Sequence, residues 1–178
     1  PVKLLVVVAC CAGVTLTFTP VQHWSARSLF DRNRTLWCGW RVDAPRYSFF
    51  FAGDTGYSPD FADIHRRLGA VDLAALPIGA YAPRWFMQVM HTDPDDAVQI
   101  YRDLHARHAV AMHWGTFVLT DEPLDEPPRR LRRALAAAGA RLAQARATLA
   151  SVSSQTIPQV NLAAQDRRLR ITENRPLT

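Results

Sequence analysis

Three positions in this sequence share one chemical format: a side chain able to hold a metal, placed where an apolar, strand-like run gives out. His23 follows Val14–Thr19, Asp54 follows residues 47–52, and His113 follows residues 109–112. Strand ends converge in a sheet protein, so residues far apart in sequence can share one site. Imidazole and carboxylate are the donors Zn²⁺ takes when it must keep a position open for water. A carboxylate can also bridge two ions, which an imidazole cannot. Spacing alone leaves the plainer alternative open, in which a histidine at a strand end is held by hydrogen bonds for structural reasons.

The elements that would position these residues follow from period and punctuation. Val-Thr-Leu-Thr-Phe-Thr alternates over Val14–Thr19, the period-2 pattern of a half-buried strand. Residues 1–19 as a whole are apolar and rich in Val and Thr, which predicts one or two buried strands; a signal-peptide reading is the alternative. A Trp-containing strand is expected over residues 35–42, a turn over 43–46, and an aromatic-rich, largely apolar core strand over 47–52. That strand runs into Gly53-Asp-Thr-Gly56, a loop whose backbone can approach a ligand closely. Ser58 is the expected N-cap of a helix over 59–68, with Pro59 at its first position. A short strand is expected over 71–77, and Asp93-Pro94 opens a second helix reaching about Arg107, with Asp95 and Asp96 in its first turn. Residues 109–113 form the next strand. The recurring strand–loop–helix order indicates a mixed α/β domain over residues 1–128. Past Pro127-Pro128, residues 129–150 read as an Arg/Ala-rich helix, and residues 151–178 as a polar tail without regular structure.

With 48% apolar and 21% charged residues, the composition is that of a globular domain. The net charge of +5 is unevenly spread: residues 1–128 hold 11 Lys and Arg against 14 acids, residues 129–178 hold 10 Arg against 2. The body is therefore mildly acidic, and the chain does not read as a nucleic-acid binder. Cys10, Cys11 and Cys38 form no CxxC pair, which supports neither a zinc knuckle nor a disulfide framework.

Four segments carry a resemblance: Thr19-Pro-Val-Gln-His-Trp-Ser, Phe51-Ala-Gly-Asp-Thr-Gly-Tyr, Leu76-Pro-Ile-Gly-Ala-Tyr-Ala-Pro-Arg-Trp-Phe-Met and Met112-His-Trp-Gly-Thr-Phe. Together they resemble the N-acylphosphatidylethanolamine-hydrolysing phospholipases D, within the metallo-β-lactamase superfamily, over roughly residues 14–132. The Gly-Asp-Thr-Gly loop is generic to the superfamily; the Gly79–Met87 block is the specific one. The resemblance implies the C-terminal half of an αββα sandwich. It further implies that His23 ligates one zinc, His113 the other, and that Asp54 bridges them. His91 would sit on the substrate side as a catalytic residue, or merely flank the Asp93 helix. Tyr81, Arg84, Trp85, Phe86 and Met87 would line the approach to the metals; without the family they are an ordinary loop with buried aromatics. The implied reaction is attack of water on the phosphodiester, releasing N-acylethanolamine and phosphatidic acid, with phospholipid at a membrane surface as partner and a homodimer left open. The expected location is cytoplasmic or peripheral to a membrane.

Two departures qualify this. The superfamily's His-x-His-x-Asp-His run is absent, and residues from about 134 onward do not resemble the family's closing strand. The expectation is a C-terminal portion with an incomplete set of ligands for two zincs, inactive or nearly so by itself, and with one sheet face uncovered. Other hydrolytic chemistry of the same superfamily, or a non-catalytic remnant that associates with membranes through its Arg-rich segment, are the competing readings.

Overall fold

The computed structural model describes residues 6–11, 13–140 and 171–172. Seven strands form one sheet in the order of the chain: β1 (Val6–Cys11), β2 (Val14–Thr19), β3 (Gly39–Ala44), β4 (Tyr47–Phe51), β5 (Leu73–Pro77), β6 (His108–Met112) and β7 (Ile171–Thr172). The first four are joined antiparallel; from β4 to β7 the pairing is parallel. That change of sense fixes where the chemistry can sit. β2 and β4 run the same way because both are antiparallel to β3, and β5 and β6 follow β4. The C-terminal ends of all four strands therefore lie along one edge of the sheet.

One face carries the core. Phe50, Ala74 and Ala109 are register neighbours across β4, β5 and β6. They join Phe61 and Ile64 from α1 (Asp60–Leu68) and Ala97 and Ile100 from α3 (Pro94–Asp103) in one buried cluster. Between them lies the single turn α2 (Arg84–Met87). Residues 126–140 form α4, whose Leu131, Ala134, Leu135 and Ala138 recur at helical spacing and pack on the same cluster. Each large side chain buried here stabilises the fold by about 1.5–3 kcal/mol relative to exposure. The opposite face is also apolar, with Leu16, Val42 and Phe49 in one row and Phe18, Trp40 and Phe51 in the next. There Phe51 is 40% and Tyr47 61% exposed.

Several expected boundaries move. The strand expected over 35–42 runs instead from Gly39 to Ala44, because its pairing with β2 begins at Thr19↔Gly39 and its turn tightens to Pro45-Arg46. Ser58 does not cap α1; its hydroxyl donates to Asp60 (2.8 Å) and Pro59 occupies the cap position. The helix expected to reach Arg107 stops at Asp103, since His105 takes a left-handed conformation (φ 49°) that no α-helix continues through. Its start is as expected: the Asp93 carboxylate accepts from the Asp96 N–H at 2.9 Å. The last helix opens at residue 126, ahead of the expected 129, with Pro127 and Pro128 in the first turn where their missing N–H groups cost nothing. Residues 141–150 of that expected helix, and all of the expected tail except Ile171–Thr172, lie outside the described residues. Those two pair with β6, a strand too short to leave a sequence pattern. Among the described residues no helix is long and apolar enough to cross a membrane.

Candidate metal centre

Loops from the four aligned strand ends are fastened to one another by backbone contacts. Gln22 and Gly56 form a bridge, with the Gly56 N–H donating to the Gln22 carbonyl (2.8 Å) and the Gln22 N–H to the Thr55 hydroxyl (3.0 Å). This joins the His23 loop to the Asp54 loop. The Gln22 side-chain amide reaches the Val89 carbonyl (3.0 Å), which brings in the segment ahead of His91. His91 itself is held from three sides. Its N–H donates to the Met87 carbonyl (2.8 Å), its carbonyl accepts from Arg84 (2.8 Å), and the next residue, Thr92, donates to the carbonyl of Pro77 at the end of β5 (2.8 Å). His113 follows β6 directly in a left-handed conformation, φ 60°, which is costly for a residue with a Cβ and recurs at functional sites.

The result is a cluster of four side chains. Ligand atoms of His23, Asp54 and His91 lie within 4.8 Å of one another. His113 joins at one side, with Nε2 3.4 Å from Asp54 Oδ1 and its ring centre 5.4 Å from that of His91. Nδ1 of His91 and Nδ1 of His113 are buried without a hydrogen-bond partner among the described residues. Burial is the main cause that holds the His91 imidazole below its ordinary pKa, opposed by Asp54 and Glu122 and reinforced by His113 and His23. A neutral imidazole is the form that ligates. Two or three imidazoles, one carboxylate and orphaned ring nitrogens fit a divalent transition ion.

The other expected site residues fall into two groups. Trp85 and Phe86 are largely exposed, their rings 5.7 Å apart, with Met87 half-buried beside them. Arg84 faces inward to a charge network, paired with Asp93 (3.3 Å) and with Asp96. Tyr81 is buried, its hydroxyl donating to Glu126 (2.7 Å) and its ring lying under the Arg130 guanidinium (5.2 Å); its pKa is raised, chiefly by burial and then by Glu126. It braces α4 against the loop that follows β5. Arg130, in the Arg-rich run at the start of the last helix, binds Asp93 (2.6 Å) and Asp95 (2.9 Å).

Three residues were not singled out by the sequence. Gln22 is the knot between three loops, yet only its adjacency to His23 hints at it. Arg130 sits in a run of arginines and has no distinguishing neighbour. Glu122 accepts from the amides of Ala80 (2.6 Å) and Ala82 (2.9 Å) and from the Thr120 hydroxyl (2.7 Å). Burial alone would push its carboxyl up, but these donors outweigh it and hold it below the usual glutamate range. It fixes the wall of a cleft of about 280 Å³ that His113, Gly79 and Phe117 also line.

Residues 5–114 match the family model described as the β-lactamase superfamily domain. The chain belongs to the β-lactamase superfamily. Within it, the chain is 44% identical over 121 residues to N-acyl-phosphatidylethanolamine-hydrolyzing phospholipase D 1 of Caenorhabditis elegans, covering 67% of this chain and 34% of that protein. It is 43% identical over 119 residues to the mitochondrial N-acyl-phosphatidylethanolamine-hydrolyzing phospholipase D of Saccharomyces cerevisiae, covering 65% of this chain and 25% of that one. The chain thus spans about a third of the length of the first relative and a quarter of the second. A solved metallo hydrolase from Ignicoccus hospitalis shares the fold, with TM-score 0.50 at 24% identity over 68% of this chain and 46% of that one. For a superfamily of metal-dependent hydrolases, the convergence of His and Asp at strand ends is the expected place for a metal.

Proposed function

We propose that this chain supplies the metal-binding and substrate-facing C-terminal portion of a zinc-dependent phosphodiester hydrolase acting on N-acylphosphatidylethanolamine. The observation that carries the reading is the meeting of His23, Asp54, His91 and His113 at one sheet edge, within the segment most similar to two phospholipases D of that specificity. A bound divalent ion would supply Lewis acidity toward a phosphoryl oxygen and lower the pKa of a water molecule. The chain's own residues do the rest of what can be placed here. His23, Asp54 and His113 would hold the ion. His91, whose imidazole burial holds below its ordinary pKa, can accept or relay a proton at the substrate side. Trp85, Phe86 and Val89 present an exposed apolar rim on the segment that ends in His91, suited to resting among lipid headgroups and upper acyl chains.

Each catalytic zinc takes about three protein ligands plus water. A dinuclear centre therefore needs more donors than this cluster offers, and the chain by itself is expected to turn over little or no lipid. The test is a chimera in which residues 14–132 replace the matching segment of the Caenorhabditis elegans relative. It is expected to release N-acylethanolamine from vesicles containing N-acylphosphatidylethanolamine. Asp54→Asn should lower the rate at least 100-fold, roughly 2.7 kcal/mol of transition-state stabilisation, while Trp85→Ala with Phe86→Ala should weaken vesicle binding. A folded, zinc-loaded chimera without hydrolysis would refute the reading.

A further inference from the structure

Among the described residues, every exposed large apolar side chain except Tyr47 and Phe51 stands on a loop that leaves the edge of the sheet where the histidines gather. Those loops differ in charge. Arg84, after β5, is paired with Asp93 and Asp96, and residues 113–125, after β6, hold three acids and no lysine or arginine. Residues 24–37, after β2, hold Arg27, Arg32 and Arg34 against Asp31 alone. We propose that this loop docks on an anionic phospholipid bilayer, with Leu29 and Phe30 entering the interface and the three arginines resting on lipid phosphates. The inference deepens the functional reading above, and rests on it only for lipid being what the cluster faces.

The loop is tied at its neck and open at its tip. The Asn33 N–H donates to the Ser25 carbonyl (2.7 Å), the Ser25 hydroxyl to the Thr35 carbonyl (2.5 Å), and the Trp37 indole N–H to the Val21 carbonyl (3.1 Å). Beyond that neck Leu29 is 94% and Phe30 87% exposed, whereas a self-contained loop packs such side chains into its own interior. Asp31 is used within the loop, its Oδ1 accepting from the N–H groups of Arg27 (2.9 Å) and Ser28 (2.7 Å). The three arginines are exposed and form no ion pair among the described residues; the Arg32 guanidinium lies over the Trp24 ring at 5.0 Å. Apolar side chains beside unpaired guanidinium groups match a layer of phosphates over hydrocarbon. The exposed apolar groups are also spread over three separate loops, which a fluid bilayer accommodates and a rigid protein partner would have to match one by one. The loop begins directly after His23, and Gln22 at its base holds the Val89 carbonyl (3.0 Å), so docking brings the cluster to the depth of the phosphodiesters.

Co-flotation of the full chain with vesicles tests this, using phosphatidylcholine alone and phosphatidylcholine mixed with phosphatidylglycerol. Stronger binding to the mixed vesicles is expected, falling as salt rises. Arg27→Gln with Arg34→Gln should weaken it by about 25-fold, close to fivefold per charge. Arg66→Gln with Arg67→Gln removes the same charge from α1 and should change binding by no more than about twofold. Leu29→Ser with Phe30→Ser should weaken it by about tenfold or more. Phe30→Trp should bind like the wild type, its added fluorescence quenched by lipids brominated on the upper acyl chain. Circular dichroism establishes that each variant is folded. The inference is overturned by equal binding to both vesicles or to neither, by equal losses from the loop pair and the α1 pair, or by a bound Phe30→Trp chain that bromine does not quench. Unchanged binding in Leu29→Ser with Phe30→Ser would overturn it in favour of the Arg-rich run past residue 129. A dimer seen by light scattering and lost in that same variant would assign the tip to a second copy instead. Loop-dependent binding beside a chimera that fails to hydrolyse lipid would keep this inference and remove the phospholipase reading. Hydrolysis with vesicle binding indifferent to the loop would do the reverse.

Discussion

At residue 79 a methyl group would stand 2.2 Å from the carbonyl oxygen of His113. No side chain fits there, and the crowding is with backbone, which cannot swing aside. The Ile78 N–H donates to the Met112 carbonyl at 3.0 Å, so β5 and β6 are laced together up to the residue before His113. Gly79→Ala therefore forces the His113 peptide outward and breaks that lacing. A loss of about 2–3 kcal/mol is expected in urea unfolding, together with weaker Co²⁺ binding. A variant with the wild-type midpoint would show that the close approach is not tight. The Gly79–Met87 block was legible as a family signature, but the reason for its first residue was not. A glycine required by a neighbour 34 positions away leaves no local pattern.

Between elements, Asp72 ties the start of β5 to β4. Its Oδ2 accepts from the Ser48 N–H and hydroxyl, each at 2.9 Å, and its Oδ1 lies 3.2 Å from Arg107. The Ser48 N–H is the largest influence and holds the carboxyl below its usual value near 3.8; partial burial opposes it, and the Ser48 hydroxyl and Arg107 reinforce it. A depressed folded pKa gives stability that is present above the unfolded value and lost as pH falls through the folded one, so the loss belongs below about pH 3.8. Asp72→Asn should cost about 1 kcal/mol at pH 7 and flatten the acid limb of stability. Denaturant unfolding at pH 7 and pH 3 checks it, and an unchanged pH dependence would rule it out. Elements with strong local patterns were readable: the alternation of Val14–Thr19 and the Asp93-Pro94 helix start are both present. Ends were less so. The stop at His105 depends on a left-handed residue, and the burial of α4 depends on a core drawn from earlier elements of the chain, although Leu131, Ala134, Leu135 and Ala138 already carried its spacing.

For the whole molecule, the sheet's change from antiparallel to parallel at β4 explains why histidines and an aspartate scattered from residue 23 to residue 113 meet. Sequence showed His23, Asp54 and His113 as strand ends but not that their strands point the same way. The same order uses up one face on helices and leaves the other with exposed Tyr47 and Phe51, on the face expected to lie uncovered when only part of the family's sandwich is present.

That arrangement also dictates an order of events in time. The donors are gathered only when the long-range parallel pairings of β4, β5 and β6 are complete, and such pairings form late because the intervening chain must first be closed into loops. An ion that binds only the finished edge cannot help the chain reach its transition state; it can only delay departure from the native state. Co²⁺ at about 100 times its dissociation constant should leave the refolding rate unchanged and slow unfolding by about 100-fold, the whole of a roughly 2.7 kcal/mol linkage effect. Stopped-flow refolding that accelerates with metal would place the site in the nucleus instead. With metal acting on the unfolding limb alone, the histidine cluster becomes a latch on the folded chain, set after the sheet is built and holding it shut.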